Sequence, residues 1–169
     1  MSHFLLAIDQ STQCSGYAIF REQELLTVGH VSPTGEYIER IVKLKQWLDK
    51  ITDDLGSDFE VAIEDIQLQE FEPNGKERSR DMGVTTFKKL AHVQGAILTL
   101  LAEKGIKCTI VPSSVWKKTC NIKGKRRDEQ KKNAQDFIID TYKIKPTQDE
   151  ADAACIGFHI LKNKGFDWS

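Results

Sequence analysis

A chain of 169 residues, 40% hydrophobic and 29% charged, is long enough for one sizeable core and has the balance of an ordinary soluble globular domain. Its net charge of -1 excludes a globally cationic protein, so any case for nucleic acid must rest on a local cluster. The longest apolar run, residues 95–102, is too short to span a bilayer.

Residues 4–9 have strand character, and a polar turn over 10–15 follows. Residues 16–21 and 24–31 read as two further strands, and the short loops between them favour antiparallel hairpins. Ile38, Ile41, Leu44, Leu48, Ile51 and Leu55 recur at spacings of three and four, the apolar face of a long helix. Residues 60–66 form a fourth strand. The polar segment 67–82, with Pro73-Asn74-Gly75 inside it, is expected to be a long loop. Phe87, Leu90, Gln94, Ile97 and Leu101 then follow helical spacing to a stop at Gly105. Residues 107–111 make a fifth strand ended by Pro112, and a basic stretch covers 117–132. Ala134, Phe137, Ile138 and Tyr142 mark another helix, and Pro146 separates it from a last one over 148–162.

The order β-β-β-α-β-α-β-α-α predicts an α/β fold in a single domain, residues 1–169. Three antiparallel strands are followed by two that run parallel to the first, giving a five-stranded mixed sheet flanked by helices. The first and fourth strands can then lie side by side.

Four carboxylates occupy telling positions in this layout. Asp9 ends the run Leu5-Leu6-Ala7-Ile8-Asp9, and Glu64 ends Val61-Ala62-Ile63-Glu64. Asp149 and Asp152 are three apart at the start of the last helix and share one face of it. An acid at the end of an apolar strand is costly to desolvate, and acids that meet repel unless a cation lies between them. A cage for a hard divalent ion such as magnesium follows from oxygen ligands alone. Singly, each acid has a plainer reading: Asp9 can cap a turn, and Asp149 and Asp152 can favour a helix dipole. Asp65 is an alternative to Glu64 on the opposite face of the strand.

The basic stretch holds Lys117, Lys118, Lys123, Lys125, Arg126, Arg127, Lys131 and Lys132 against two acids, Asp128 and Glu129. A solvated helix face is the usual fate of such a run, and contact with phosphates is the functional reading. Lys88 and Lys89 are a weaker basic pair. His92 and His159 read as structural or solvent-facing rather than as ligands, and Phe71 as a packing residue or a wedge between bases. The cysteines (Cys14, Cys108, Cys120, Cys155) form no CxxC pair, which disfavours zinc. With no basic leader or apolar signal stretch after Met1, they suggest free thiols in a cytoplasmic protein.

The motifs Ala7-Ile8-Asp9-Gln10-Ser11, Ser15-Gly16-Tyr17, Ala62-Ile63-Glu64-Asp65 and Pro112-Ser113-Ser114-Val115-Trp116-Lys117 resemble those of RuvC-type Holliday-junction resolvases, the crossover junction endodeoxyribonucleases. The D-x-x-D-A spacing in Asp149-Glu150-Ala151-Asp152-Ala153 is the most specific of the matching pieces. The resemblance covers residues 4–160 and implies a ribonuclease H-like fold. It implies that Asp9, Glu64, Asp149 and Asp152 are catalytic ligands of magnesium or manganese, two ions per active site. It further implies a homodimer that cuts four-way or other branched DNA by paired nicks, leaving 5′ phosphate and 3′ hydroxyl, in DNA recombination and repair. No membrane partner is implied, and the location is the cytoplasm, or the host cytoplasm for a virus. The family's proline and glycine after the first aspartate are replaced by Gln10 and Ser11, and its aromatic near the second acid corresponds to Gln67, with Phe71 beyond. A compact resolvase of the bacteriophage type fits those differences. The rival readings are a less selective ribonuclease H-like nuclease and a protein that binds branched DNA without cutting it.

Overall fold

The computed structural model describes residues 3–68 and 80–164, with backbone alone over 80–82. Its elements are β1 (Phe4–Asp9), β2 (Ser15–Arg21), β3 (Glu24–Val31), α1 (Tyr37–Leu55), β4 (Phe59–Glu64), α2 (Arg80–Glu103), β5 (Cys108–Val111), α3 (Ser113–Thr119), α4 (Arg127–Tyr142) and α5 (Gln148–Asn163). They form one five-stranded sheet in the order β3-β2-β1-β4-β5. β1 pairs antiparallel with β2, and β2 with β3, while β4 lies parallel to both β1 and β5. This is the mixed sheet that the element order predicts.

Two differences concern helices. The expected loop 67–82 overlaps a helix, because α2 already begins at Arg80, and residues 69–79 lie outside the described residues. A short helix, α3, follows β5 where only a basic stretch is expected. Pro112 ends the strand and, with extended backbone, starts this helix. Seven residues are too few for apolar periodicity to declare them, and Trp116 is the one buried side chain of α3.

Alternation along the central strands sends residues to two different layers. Leu6, Ile8, Val61 and Ile63 meet Leu44 and Leu48 of α1 and Val93, Ile97 and Leu101 of α2. Leu5, Ala7, Ala18, Phe20 and Ala62 meet α4 and α5 through Ile138, Ala151, Ala154, Cys155 and Ile156. The second layer is built from small residues, which lets α5 lie close to the sheet. A β-carbon on Gly16 of β2 would come within 2.1 Å of the Asp149 carbonyl oxygen, and one on Gly157 within 2.2 Å of the Phe20 ring. Only glycine permits either approach. The start of α5 is fixed by a capping box in which the Thr147 hydroxyl accepts from the Glu150 amide and the Glu150 carboxylate accepts from the Thr147 amide. The other Glu150 oxygen meets His30 of β3 at 2.8 Å.

Candidate active site

The β1–β4 ladder runs in register to Ile8 and Ile63, so Asp9 and Glu64 come one step later, side by side at the same edge of the sheet. Both continue the alternation that carries Ala7 and Ala62, and so face α5. Their carboxyls are close enough to interact directly. Glu64, rather than Asp65, is thus the acid that meets Asp9. The first turns of α5 bring Asp149 and Asp152 to the same place, Asp152 almost fully buried and Asp149 partly open. All four acids line a single open cleft of about 710 Å³.

One cation stands inside this acid group. The Lys131 ammonium, from α4, forms an ion pair with Asp152 and lies 3.7 Å from Asp149. Burial works against its charge, but attraction to Asp152, Asp9 and Asp149 outweighs that and lifts its pKa above the ordinary lysine value. The acids respond in the opposite sense to burial. Desolvation first, then repulsion from Glu64 and Asp152, pushes Asp9 well above the usual carboxylate range. Desolvation also raises Glu64 and Asp152, the latter in spite of its pairing with Lys131.

Of the eight residues of the basic stretch, Lys117, Arg127 and Lys131 line the cleft. Lys117 also donates to Gln130 at 3.1 Å. Lys118, Lys123, Lys125, Arg126 and Lys132 are exposed and lie outside the cleft lining, with Arg126 paired to Asp128. Lys89 of α2 joins the lining, whereas Lys88 does not. His92 is bound to the Tyr37 hydroxyl, and His159 to Thr119 and Asn163, as structural histidines would be. Gln67 is exposed at the cleft, and Phe71 lies outside the described residues.

Two residues of the site carried no functional expectation. Gln10 and Gln94, both buried, donate their side-chain amides to the backbone carbonyl of Glu64, at 2.6 and 3.3 Å. The only sequence signal for Gln94 is its polarity within the apolar stripe of α2.

The donor set suits a hard divalent ion: carboxylate oxygens alone, without thiolate or imidazole. Among the described residues, no three His, Cys, Asp or Glu side chains are gathered as a ready-made metal site. Instead, Asp9 and Glu64 lie against each other and Lys131 supplies positive charge to Asp152 and Asp149. These contacts offset part of the repulsion among the buried carboxylates.

No family model matches the chain, and no curated protein matches it in sequence. Solved structures share its fold. Thermus thermophilus RuvC in complex with a Holliday junction substrate aligns with a TM-score of 0.70 at 16% identity, over 96% of this chain and 95% of that one. Another Thermus thermophilus RuvC structure gives 0.69 at 15% identity, over 95% of both chains. The yeast mitochondrial Holliday junction resolvase Ydc2 gives 0.56 at 14% identity, over 95% of this chain and 79% of that one. The chain has the ribonuclease H-like fold of these resolvases along nearly its whole length.

Proposed function

We propose that this chain is a metal-dependent, structure-selective endodeoxyribonuclease of the RuvC type, a single nuclease domain over residues 1–169. It hydrolyses phosphodiesters at four-way or other branched DNA junctions. The observation that carries this reading is the meeting of Asp9, Glu64, Asp149 and Asp152 in one cleft whose walls are cationic. Carboxylates alone would repel a DNA backbone, so an acidic cleft with basic walls fits a phosphate substrate approached through metal.

In this reading Asp9, Glu64, Asp149 and Asp152 hold magnesium or manganese, two ions per site. Bound there, the metal supplies Lewis acidity to the scissile phosphate and to the attacking water. The chain's own residues do the rest. The buried floor of Ala7, Ala62 and Ala151 keeps the four acids on a rigid base. Lys117 and Lys131 offset charge that develops on the phosphate. Arg127 and Lys89 hold flanking phosphates on the cleft walls, and the exposed Lys118, Lys123, Lys125, Arg126 and Lys132 extend that path without reading sequence. The products carry 5′ phosphate and 3′ hydroxyl. Paired nicks on opposing strands require two sites related by a two-fold axis, hence a homodimer. Among the described residues no helix is long and apolar enough to cross a membrane. A role in DNA recombination and repair would follow from the proposed substrate, and a cytoplasmic location is part of the same proposal.

A synthetic four-way junction, incubated beside a linear duplex of the same sequence with magnesium, manganese or a chelator, tests the proposal. Paired nicks confined to the junction and abolished by chelator are expected. Equal cutting of the duplex would make the protein a less selective ribonuclease H-like nuclease. Tight junction binding without cutting in either metal would make it a binding protein only.

A further inference from the structure

Glu64 is the last residue of β4, and strand ends fray unless something continues the ladder. Successive strand residues direct their backbone N–H and C=O to alternate sides. The Asp65 amide donates to the Val111 carbonyl of β5 at 2.8 Å, so the Glu64 carbonyl points the other way, toward β1. There the backbone pairing has already ended at Ile8 and Ile63. The side-chain amide of Gln10 stands in for the missing rung, and the amide of Gln94, from α2, closes on the same oxygen. Gln10 is 6% exposed and Gln94 8% exposed. A carbonyl oxygen only accepts, so the nitrogen of each amide faces it and the amide orientations are fixed.

We infer that Gln10 and Gln94 are positioning residues that clamp the Glu64 peptide and thereby set the Glu64 carboxylate against Asp9. The inference rests on the nuclease reading for its consequence in catalysis, and on the geometry alone for the clamp. Gln10 directly follows Asp9, so one side chain ties the first acid's backbone to the second's. Gln94 lies on the helix whose Thr86, Lys89 and Leu90 line the cleft, so it ties the acid pair to the cleft wall.

The Oε1 atom of Gln10 is buried with no hydrogen-bond partner, so the amide is held by its donating end. Removing the whole amide removes an unpaired acceptor together with a donor, which limits the cost to folding. That makes Gln10→Met a discriminating variant, with Gln94→Leu and the double variant beside it. The measurements are manganese affinity of the DNA-free protein by calorimetry, kcat and KM on a four-way junction, junction binding in chelator, and thermal melting. Each single variant is expected to lower kcat and to weaken manganese binding by about tenfold. The double variant is expected to lose more than the product of the two, because each amide covers for the other on one acceptor. KM, chelator-state junction binding and melting temperature are expected to stay near wild type. A double variant with wild-type manganese affinity and kcat would overturn the clamp. So would a fall in melting temperature and DNA binding in step with kcat, which reduces both glutamines to packing. A wild type that binds manganese but cuts no junction would reject the nuclease reading and leave the manganese comparison to decide the clamp. A wild type that binds no manganese would overturn both.

Discussion

Glu60 and Glu64 lie on one face of β4, at opposite ends, under the same helix α5. Glu60, 4% exposed in its side chain, is met by two lysines, Lys164 just past α5 and Lys107 at 3.6 Å, with the His3 ring at 3.4 Å. Glu64 meets other acids instead, with Asp9 beside it and Asp152 repelling it, and Lys117 and Lys131 as weaker compensation. Both ends desolvate a carboxylate. One end completes the charge within the chain, and the other leaves an excess of negative charge facing an open cleft. A buried acid in a strand is therefore no sign of function by itself, and the signs of its neighbours decide.

The sharpest way to break this contrast is substitution of the cleft acids. Glu64→Gln and Asp152→Asn are each expected to reduce junction cleavage by about a thousandfold or more, with the protein folded and still binding the junction. Gel assays of cleavage and of binding in chelator read the two halves of that statement. At the other end, Glu60→Gln leaves two lysines, Lys164 and Lys107, beside a neutral group. A loss of about 2 kcal/mol in denaturant unfolding is expected, less than for a fully buried pair because Lys164 is partly and Lys107 largely exposed. Cleavage per folded molecule should not change.

Proton linkage sharpens the comparison further. The pKa values of Asp9 and Glu64 are raised in the metal-free fold, mainly by burial. A raised carboxylate favours the fold while protonated, at low pH, and that contribution is lost as pH rises through the raised value. Magnesium held among these acids, as proposed, would relieve the resulting repulsion, so it should raise the melting temperature more in mildly alkaline than in mildly acidic buffer. Calorimetry in buffers of different ionisation enthalpy should also detect proton release on metal binding. The smallest effect expected is a gain. Asp9→Asn removes one repelling charge and should stabilise the metal-free protein by about 1 kcal/mol at neutral pH, while cleavage is lost.

The sheet and the four acids were legible because both depend on alternation. Period-two patterning identifies which strand residues share a face, and the topology brings Asp9 beside Glu64 without knowledge of any contact. Asp149 and Asp152 follow from helical spacing in the same way. Helix α3 escaped because seven residues with one buried side chain carry no period. Lys131 could be read only as one of eight bases, since its pairing with Asp152 depends on how α4 packs against α5. Gln10 and Gln94 escaped for the same reason: their acceptor is a backbone atom that lies 54 residues after the one and 30 before the other. Backbone acceptors leave no mark in a sequence.

Cleavage of a four-way junction in magnesium by wild type, Glu64→Gln and Glu60→Gln, at equal folded concentration and below every melting point, tests the central claim most directly. The expected result is a Glu60→Gln protein that cuts at the wild-type rate and a Glu64→Gln protein that binds the junction and leaves it intact. A Glu64→Gln protein that still cuts, or a folded Glu60→Gln protein that does not, would contradict the assignment of the two ends of β4.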